Sequence, residues 1–518
     1  MTTARLHHHE PVDQVALVTV LVVGVIAVSG LARRLRFPAP LMLVAAGVVV
    51  SYLPGTPDFR LDPELVLVVL LPPLLYSAAS KSSLIDIRRE RSPIVRLAVT
   101  LVLVTTVAVG FGLHAAVPTV SLAAAMALGA VVAPPDAVAA TAVARRSGLG
   151  RRTLTILEGE SLFNDATALV ALRVALDATD HDITAVEVGA RFLYTAVVGL
   201  AVGIVVGIVL SVVRRHVHDT LTDSALSLIA PFAAFIPAEE IDASGVIAVV
   251  VTALILAHRS PLDQDPRARL VEGATWDTLQ FALEGVVFAL IGLQLRSIVE
   301  SLDTSAGELI GAGAVVLGLV LLVRPAWIFT TSWIGWRLRR RRDEPPWRSM
   351  AVVSWAGMRG VVSLAAALSL PLDIPRRDLL VFLTFIVIMG TLGLQGLTLP
   401  MVIRKLGIQP PDPRRDILQQ AHALEEAVRA GVGRLRELEA SEGAPPAVVQ
   451  RLERLGELRT YITWERLGDV TAGPPPTVAY RRLRREMILA ERQVLVARRD
   501  AGALDEEVLR RVQRELDL

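Results

Sequence analysis

Long apolar runs separated by short charged segments fill the first 405 residues of the 518-residue chain. Each run approaches the roughly 20 residues that an α-helix needs to cross the ~30 Å hydrocarbon core of a bilayer. We place thirteen runs at 12–30, 37–53, 64–80, 93–114, 120–144, 153–176, 188–213, 223–238, 243–258, 276–299, 307–333, 348–370 and 378–402. The pattern predicts an all-α polytopic membrane protein with about 13 transmembrane helices.

Composition supports this class. Hydrophobic residues make up 53% of the chain, and the mean hydropathy is +0.53. The net charge of +2 does not indicate a nucleic-acid partner, because the basic residues form short clusters between apolar runs. The chain has no cysteine, which excludes disulfides, thiolate metal sites and cysteine nucleophiles.

The loops alternate between basic and acidic, which predicts the topology. The basic set contains Arg33, Arg34, Arg36, Lys81, Arg88, Arg89, Arg91, Arg145, Arg146, Arg151, Arg152, Arg214, Arg215, Arg259, Arg267, Arg269, Arg337 through Arg342, Arg404 and Lys405. Cytoplasmic loops carry the excess of lysine and arginine, so we predict an external N-terminus and a cytoplasmic C-terminus in the plasma (inner) membrane. The first run lacks a small-residue cleavage site, and we interpret it as a retained helix.

After Pro410 the composition changes to charged, heptad-like sequence. We therefore predict a transmembrane domain over 1–410 and a cytosolic helical domain over 411–518, with amphipathic helices at 416–438, 447–466 and 480–500. A solvated bundle or dimer contact fits its interleaved charges better than a nucleic-acid surface. Membrane-surface binding through Arg481, Arg482, Arg484 and Arg485 stays open, as does the choice between a solvated tail and a metal role for His7, His8 and His9.

The fifth run contains Pro134 and Pro135 directly before Asp136. Two prolines remove amide donors and bar a regular helix, so the backbone should be unwound beside a carboxylate. Broken transmembrane helices supply carbonyls and helix-end dipoles to ions at mid-membrane. Two interpretations remain open here: an ion site, or a proline kink in which Asp136 caps the second half-helix.

The sixth run interrupts its apolar sequence with Glu160, Ser161, Asn164 and Asp165. Spacings of four residues place Ser161 with Asp165, and Glu160 with Asn164, on two adjacent stripes of a helix. Interhelical hydrogen bonding is the alternative interpretation, since serine and asparagine commonly provide it. Two carboxylates within two turns favour a functional site, because intramembrane carboxylates cost roughly 2.5–3.5 kcal/mol each.

The twelfth run carries Arg359 between Gly357 and Gly360. The glycines permit a second backbone break, and a buried guanidinium requires a carboxylate partner, for which Glu160 is a candidate. The remaining intramembrane charges are Arg173, Glu284 and Arg324, and we assign these three to structural salt bridges. No phosphate loop, metalloprotease helix or serine elbow is found, so we expect neither an enzyme nor a cofactor.

At these residues the chain resembles the bacterial sodium/proton antiporters of the monovalent cation:proton antiporter-1 family, related to the NhaP and NHE exchangers. The resemblance spans roughly 12–405 and is carried by the segments Leu71–Leu75, Pro134–Ala139, Glu158–Asp165, Ser244–Val246 and Gly357–Gly360. It implies two inverted six-helix repeats around a linker helix, broken helices 5 and 12, a homodimer and secondary antiport of monovalent cations and protons.

The resemblance also assigns roles. Asp165 is the cation- and proton-carrying carboxylate, with Ser161, Asp136 and the Pro135 carbonyl as cation ligands. Asn164 matches the asparagine of electroneutral members, and Glu160 with Arg359 the ion pair that holds the site. Two departures affect this assignment: Pro135 stands where the family often has threonine, and Tyr76–Ser77 where many relatives carry an acidic residue.

The predicted mechanism is competition. A desolvated Asp165 holds a proton or, once deprotonated, a cation, so a proton gradient expels Na⁺ without ATP. We expect exchange of cytoplasmic Na⁺ for external H⁺ with one proton per cation. Li⁺ or K⁺ stays open as the cation, because ligand types alone do not fix the cavity size. A cation channel and a membrane sensor are the alternatives from other classes.

Overall fold

The computed structural model describes residues 10–35, 37–54, 66–136, 141, 148–180, 184–217, 219–300, 302, 304–339, 347–408, 412–465 and 476–517. These residues form helices joined by short turns, and they include no strand. The chain divides into two compact units, residues 1–410 and 411–518.

The first unit contains sixteen helices among its described residues. They are α1 (Glu10–Leu35), α2 (Ala39–Ser51), α3 (Leu71–Ser80), α4 (Leu84–Arg89), α5 (Arg91–Ala116), α6 (Leu122–Val132), α7 (Arg151–Asp180), α8 (Ala185–His216), α9 (Thr220–Glu239), α10 (Gly245–Asp263), α11 (Pro266–Leu293), α12 (Leu295–Glu300), α13 (Ala306–Arg339), α14 (Trp347–Trp355), α15 (Val361–Leu368) and α16 (Arg377–Lys405). A short π-helical segment, Val66–Leu70, precedes α3.

Seven helices of the described part are long and apolar enough to cross a membrane, and three shorter apolar helices accompany them. The predicted class, an all-α multi-pass membrane protein, is confirmed. A count of 13 spans and two inverted repeats stays a prediction. Seven of the 25 residues in the fifth predicted run, 137–140 and 142–144, lie outside the described residues.

Side-chain caps fix where several helices begin. Ser121 accepts a hydrogen bond from the amide of Ala124 at the start of α6. Thr184 and Glu187 form a reciprocal capping box at the start of α8. These side chains accept hydrogen bonds from amide groups that have no partner within the helix. Such caps matter in a membrane protein because little water is present to bind those amides.

Glycines let pairs of helices approach backbone to backbone. A Cβ atom on Gly47 in α2 would collide with the carbonyl oxygen of Ala289 in α11, and one on Gly203 in α8 would lie 2.7 Å from the Ala248 carbonyl oxygen in α10. Close approach of this kind drives packing where lipid tails are as apolar as leucine. Gly47 and Gly203 therefore serve helix contacts.

The chain leaves helical geometry at both predicted breaks. Helix α6 ends at Val132, and Ala133 to Asp136 follow as non-helical backbone. Helices α14 and α15 are separated by the non-helical residues 356–360. Prolines explain the first break, since they cannot donate an amide, and the Gly357 and Gly360 pair permits the second.

The second unit contains α17 (Pro413–Glu442), α18 (Pro446–Glu465), α19 (Pro476–Asp500) and α20 (Glu506–Asp517). Helices α17 and α18 pack together, with the rings of His422 and Trp464 edge-on at 5.1 Å. The three predicted tail helices are present, and α20 was not predicted. Its sequence is short and strongly charged, and it follows a turn in which Gly502 has a φ of +70°.

Candidate functional site

The two unwound segments contact each other inside the first unit. The amide of Asp136 donates a hydrogen bond to the carbonyl oxygen of Met358, with an N–O distance of 2.6 Å. Gly360 lies so close to Asp136 that a Cβ atom there would collide with the aspartate carboxylate. Each break therefore satisfies part of the backbone freed by the other, as a non-helical segment within a membrane requires.

Helix α7 brings its polar residues to this junction. Asn164 and Asp165 are buried, and Ser161 is half-buried one turn earlier. The amide nitrogen of Asn164 donates to the carbonyl oxygen of Pro135 at 2.8 Å. The site residues predicted on the fifth and sixth runs are thus brought together by a direct contact between α7 and the unwound backbone.

The second polar atom of Asn164, Oδ1, has no hydrogen-bond partner in the described structure although the residue is fully buried. Buried polar atoms are normally paired, because an unpaired one costs about 1–3 kcal/mol. An oxygen in this position has the chemistry of a ligand for a hard cation.

The two aspartates flank the hydrogen bond between Asn164 and Pro135, since Asp165 follows Asn164 and Asp136 follows Pro135. Neighbouring carboxylates repel each other when both are ionised. Asp165 is almost completely buried and Asp136 is half-buried. A cation or a proton bound between them removes this repulsion. Two carboxylates, the Ser161 hydroxyl, the Asn164 amide oxygen and the backbone carbonyls of the unwound segments form a set of oxygen donors that suits a monovalent cation or a proton.

Within the described part of the chain, Arg359 does not pair with a carboxylate. Its guanidinium donates to the carbonyl oxygens of Val132 at 2.9 Å and Ala133 at 3.2 Å, and to that of Gly357. Its backbone amide donates to the hydroxyl of Thr391 at 3.0 Å. Arg359 therefore places a positive charge on the carbonyl end of α6, where the helix dipole is negative, and holds the two breaks together.

The predicted ion pair between Glu160 and Arg359 is wrong. Arg324 on α13 takes the Glu160 carboxylate instead through two hydrogen bonds, one of them 2.7 Å long, and its Nε donates to the carbonyl oxygen of Val353 at 3.0 Å. Glu160 is 1% exposed and the Arg324 side chain 2%. Both arginines lie in apolar runs, and the sequence contains no signal that distinguishes which one reaches Glu160.

Of the other intramembrane charges in the described structure, Arg173 forms the predicted salt bridge and Glu284 does not. Arg173 forms an ion pair with Glu239 on α9, as predicted, and Arg191 pairs with Asp177 nearby. These pairs line a cavity of about 220 Å³ at the far end of α7. Glu284, by contrast, has no ion pair within the described structure, so the predicted salt bridge at this residue is wrong.

The described residues include no group of three or more His, Cys, Asp or Glu side chains that could hold a permanently bound metal ion. The run His7–His9, and the motif residues 137–139, lie outside the described part of the chain. The donor set at the α7 junction is the candidate site.

Comparison with known proteins identifies the family of this chain. Residues 17–405 match the transmembrane sodium/hydrogen exchanger family. The chain belongs to that family. It is 33% identical to a protein named an uncharacterised Na⁺/H⁺ exchanger from Mycobacterium tuberculosis, an alignment that covers 97% of this chain and 94% of the relative.

Three further comparisons bear on this exchanger. It is 31% identical to the Na⁺/H⁺ antiporter ApNhaP of Aphanothece halophytica, over 77% of this chain and 75% of that one. Its fold resembles the sodium proton antiporter MjNhaP1 of Methanocaldococcus jannaschii with a TM-score of 0.61, 19% identity, and coverage of 77% and 99% of the two chains. A further relative, at 30% identity over 74% of this chain and 61% of its own length, is named a sodium, potassium, lithium and rubidium/H⁺ antiporter from Bacillus subtilis.

The buried pair of the exchanger predicts a non-additive effect on stability. Glu160→Gln and Arg324→Leu each leave an unpaired buried charge, which should lower the free energy of unfolding by about 3 kcal/mol. The double variant buries no unpaired charge and should recover much of that loss. The measurement is the thermal melting of the three purified variants in detergent.

The exposed pair Arg296 and Glu300 provides the control, because its side chains are 41% and 62% exposed. Breaking a surface pair should change the unfolding free energy by less than about 1 kcal/mol. Losses that simply add in the Glu160 and Arg324 double variant would contradict a coupled pair.

Gly360→Ala should abolish ion movement while leaving the exchanger folded. The added methyl group would occupy the place of the Asp136 carboxylate, and a displacement of this size in a site can cost about a hundredfold in rate. Gly393→Ala is the matched control, since nothing lies within 4 Å of its Cβ position. Cation-dependent proton flux in vesicles should fall in the first variant only, and equal flux in both would show that Asp136 need not lie against residue 360.

Proposed function

We propose that the chain is a secondary active antiporter that exchanges cytoplasmic Na⁺ for external H⁺ by alternating access. The observation that carries this proposal is the junction of the two unwound backbone segments with α7. The Asp136 amide bonds the Met358 carbonyl oxygen there, and Asn164, the neighbour of Asp165, bonds the Pro135 carbonyl oxygen. Carboxylates beside freed carbonyls at mid-membrane are the chemistry of coupled ion transport.

Asp165 acts as the carrier of the cation and of the proton. Asp136, Ser161 and the carbonyl oxygen of Pro135 complete the cation ligands, and the unpaired Oδ1 of Asn164 is available beside them. Because the Asn164 amide already donates to the Pro135 carbonyl, we assign Asn164 to orienting that ligand as well. A carbonyl oxygen has two lone pairs, so it can accept this bond and still bind a cation.

Charge balance supports one proton per cation. The site and its supports contain three carboxylates, on Asp136, Glu160 and Asp165, and two guanidinium groups, on Arg324 and Arg359. The sum is one negative charge when all five are ionised. Either one proton or one monovalent cation makes the assembly neutral, and a neutral assembly crosses the low-dielectric membrane interior at the smallest cost.

The transported cation has two candidates, Na⁺ and K⁺. Relatives are named for Na⁺/H⁺ exchange and, in Bacillus, for sodium, potassium, lithium and rubidium/H⁺ exchange. We propose Na⁺ as the main substrate, with K⁺/H⁺ antiport as the second candidate function. Comparing Na⁺, K⁺ and Li⁺ at equal concentration in one vesicle assay distinguishes them.

We also propose the setting in which this exchange takes place. The basic loops place the N-terminus outside and the C-terminus in the cytoplasm of the cell membrane. Residues 1–410 form the exchanger domain and 411–518 a cytosolic helical domain, and the chain works as a homodimer. An epitope accessibility assay at each terminus tests the orientation, and cross-linking in membranes tests the dimer.

Asp165→Asn should abolish exchange, because the amide neither releases a proton nor attracts a cation. Na⁺-dependent dequenching of a pH-sensitive dye in everted vesicles should vanish in this variant. Asp177→Asn on the same helix is the matched control, since the Asp177 side chain is 40% exposed and pairs with Arg191, and it should retain most of the activity. Full transport by Asp165→Asn would refute the assignment of the carrier.

Exchange should be indifferent to an imposed membrane potential, because one cation replaces one proton. The measurement is initial Na⁺ flux in proteoliposomes at potentials of either sign. Asn164→Asp adds a carboxylate to the site and should make the flux depend on voltage. A strong voltage dependence of the unmodified protein would rule out electroneutral exchange.

A further inference from the structure

A polar stripe connects α3 and α11 near the candidate site. On α11, Gln280 and Glu284 are one turn apart, and the Gln280 amide nitrogen donates to the Glu284 carboxylate. From α3 and its end, the Ser77 hydroxyl donates to the Gln280 carbonyl oxygen at 2.9 Å and the Lys81 ammonium donates to it at 2.6 Å.

The stripe begins at an exposed end and runs inward. Lys81 is 42% exposed at its side chain and forms an ion pair of 2.6 Å with Asp277, which is 70% exposed. Glu284 is half-buried and lies seven residues further along α11, which is about 10 Å at 1.5 Å per residue. The Lys81 end belongs to one of the basic loops that the topology places in the cytoplasm.

Glu284 has an unusual electrostatic position. Its hydrogen-bond donor is a neutral amide, and no lysine or arginine within the described residues lies within ion-pair distance of it. On one side α11 packs against α15, which begins directly after Gly360 and so lies beside Asp136. Lys81, at the other end of the stripe, is already held by Asp277 and Gln280. An intramembrane carboxylate without a counter-charge is costly and is a functional-site candidate by default.

A purely structural role does not account for this arrangement. Gln280 with Ser77 and Lys81 already joins α3 to α11, so a neutral residue at 284 would preserve the helix contact without the cost of a charge. The carboxylate adds a negative potential between the exposed rim and Asp136. A cation moving from the rim to the site would pass that potential.

We propose that Glu284 is a staging carboxylate that attracts the cytoplasmic cation and delivers it to Asp136, with Gln280 and Ser77 holding it in place. The inference rests on the proposed antiport function and deepens it, since it identifies the side from which Glu284 acts. Glu284 is then a positioning residue for entry, and Asp165 remains the carrier.

The test compares the two sides of the membrane. Glu284→Gln should raise the KM for Na⁺ about tenfold when Na⁺ is offered at the cytoplasmic face in everted vesicles, a magnitude typical of one charge acting over several ångströms. In right-side-out vesicles, the KM for Na⁺ offered at the external face should change by less than about twofold. The maximal rate at saturating Na⁺ should stay near that of the unmodified protein.

Two further variants control the interpretation. Glu284→Asp keeps the charge and should restore most of the cytoplasmic affinity. Asp86→Asn removes an exposed carboxylate from the neighbouring helix α4 and should leave both KM values unchanged. Melting temperatures in detergent should match across the set, because the Gln280 contacts with α3 are intact.

The outcomes separate the two proposals. Unchanged cytoplasmic KM in Glu284→Gln, or equal rises on both faces, would overturn the staging role while the antiport function stands. An equal effect of Asp86→Asn would reduce the role to general surface charge and would also overturn it. Absence of any cation-dependent proton flux in the unmodified protein would instead overturn the proposed function.

Discussion

Backbone amide and carbonyl groups that are not in a helix must find hydrogen-bond partners within the protein when they lie inside a membrane. The rest of this structure depends on how the unwound segments 133–136 and 356–360 meet that requirement. The prolines and glycines that unwind the chain leave carbonyls and amides without helical partners. Part of that deficit is met when the Asp136 amide bonds to the Met358 carbonyl, and part when Arg359 donates to the carbonyls at the end of α6. The two breaks thus stabilise each other, which explains why the site forms where they meet.

The buried charges near the junction also find their partners within the protein. Arg359 is occupied with carbonyl oxygens, so Glu160 needs a different counter-charge, and Arg324 supplies it while also bonding the last turn of α14. The pair therefore fixes α7 and α13 against one half of the broken helix. With those charges settled, Asp136 and Asp165 are left with a surplus negative charge that one cation or one proton can neutralise.

The sequence predicted much of this arrangement, for identifiable reasons. Prolines and glycines act on their own backbone, so Pro134, Pro135 and Gly360 marked both breaks without any knowledge of the fold. Hydropathy acts over one helix, so the apolar runs were found. The partner of Glu160 depends on which helix lies beside α7, and two arginines in apolar runs were equally suitable. The same limit explains Glu284, whose lack of a counter-charge is visible only once its neighbours are known.

The proposed role of Glu284 differs from the roles of Asp136 and Asp165. A site that binds its cation tightly would release it slowly. Transport requires binding that is strong enough for the cation to enter the site and weak enough for it to leave. Asp136 and Asp165 repel each other when empty and lose that repulsion when loaded, which favours exchange of one load for another. A third carboxylate outside the pair raises the local cation concentration without strengthening the final binding step. Its unpaired charge is useful for this reason, since a counter-ion held against Glu284 would cancel the potential that draws the cation inward.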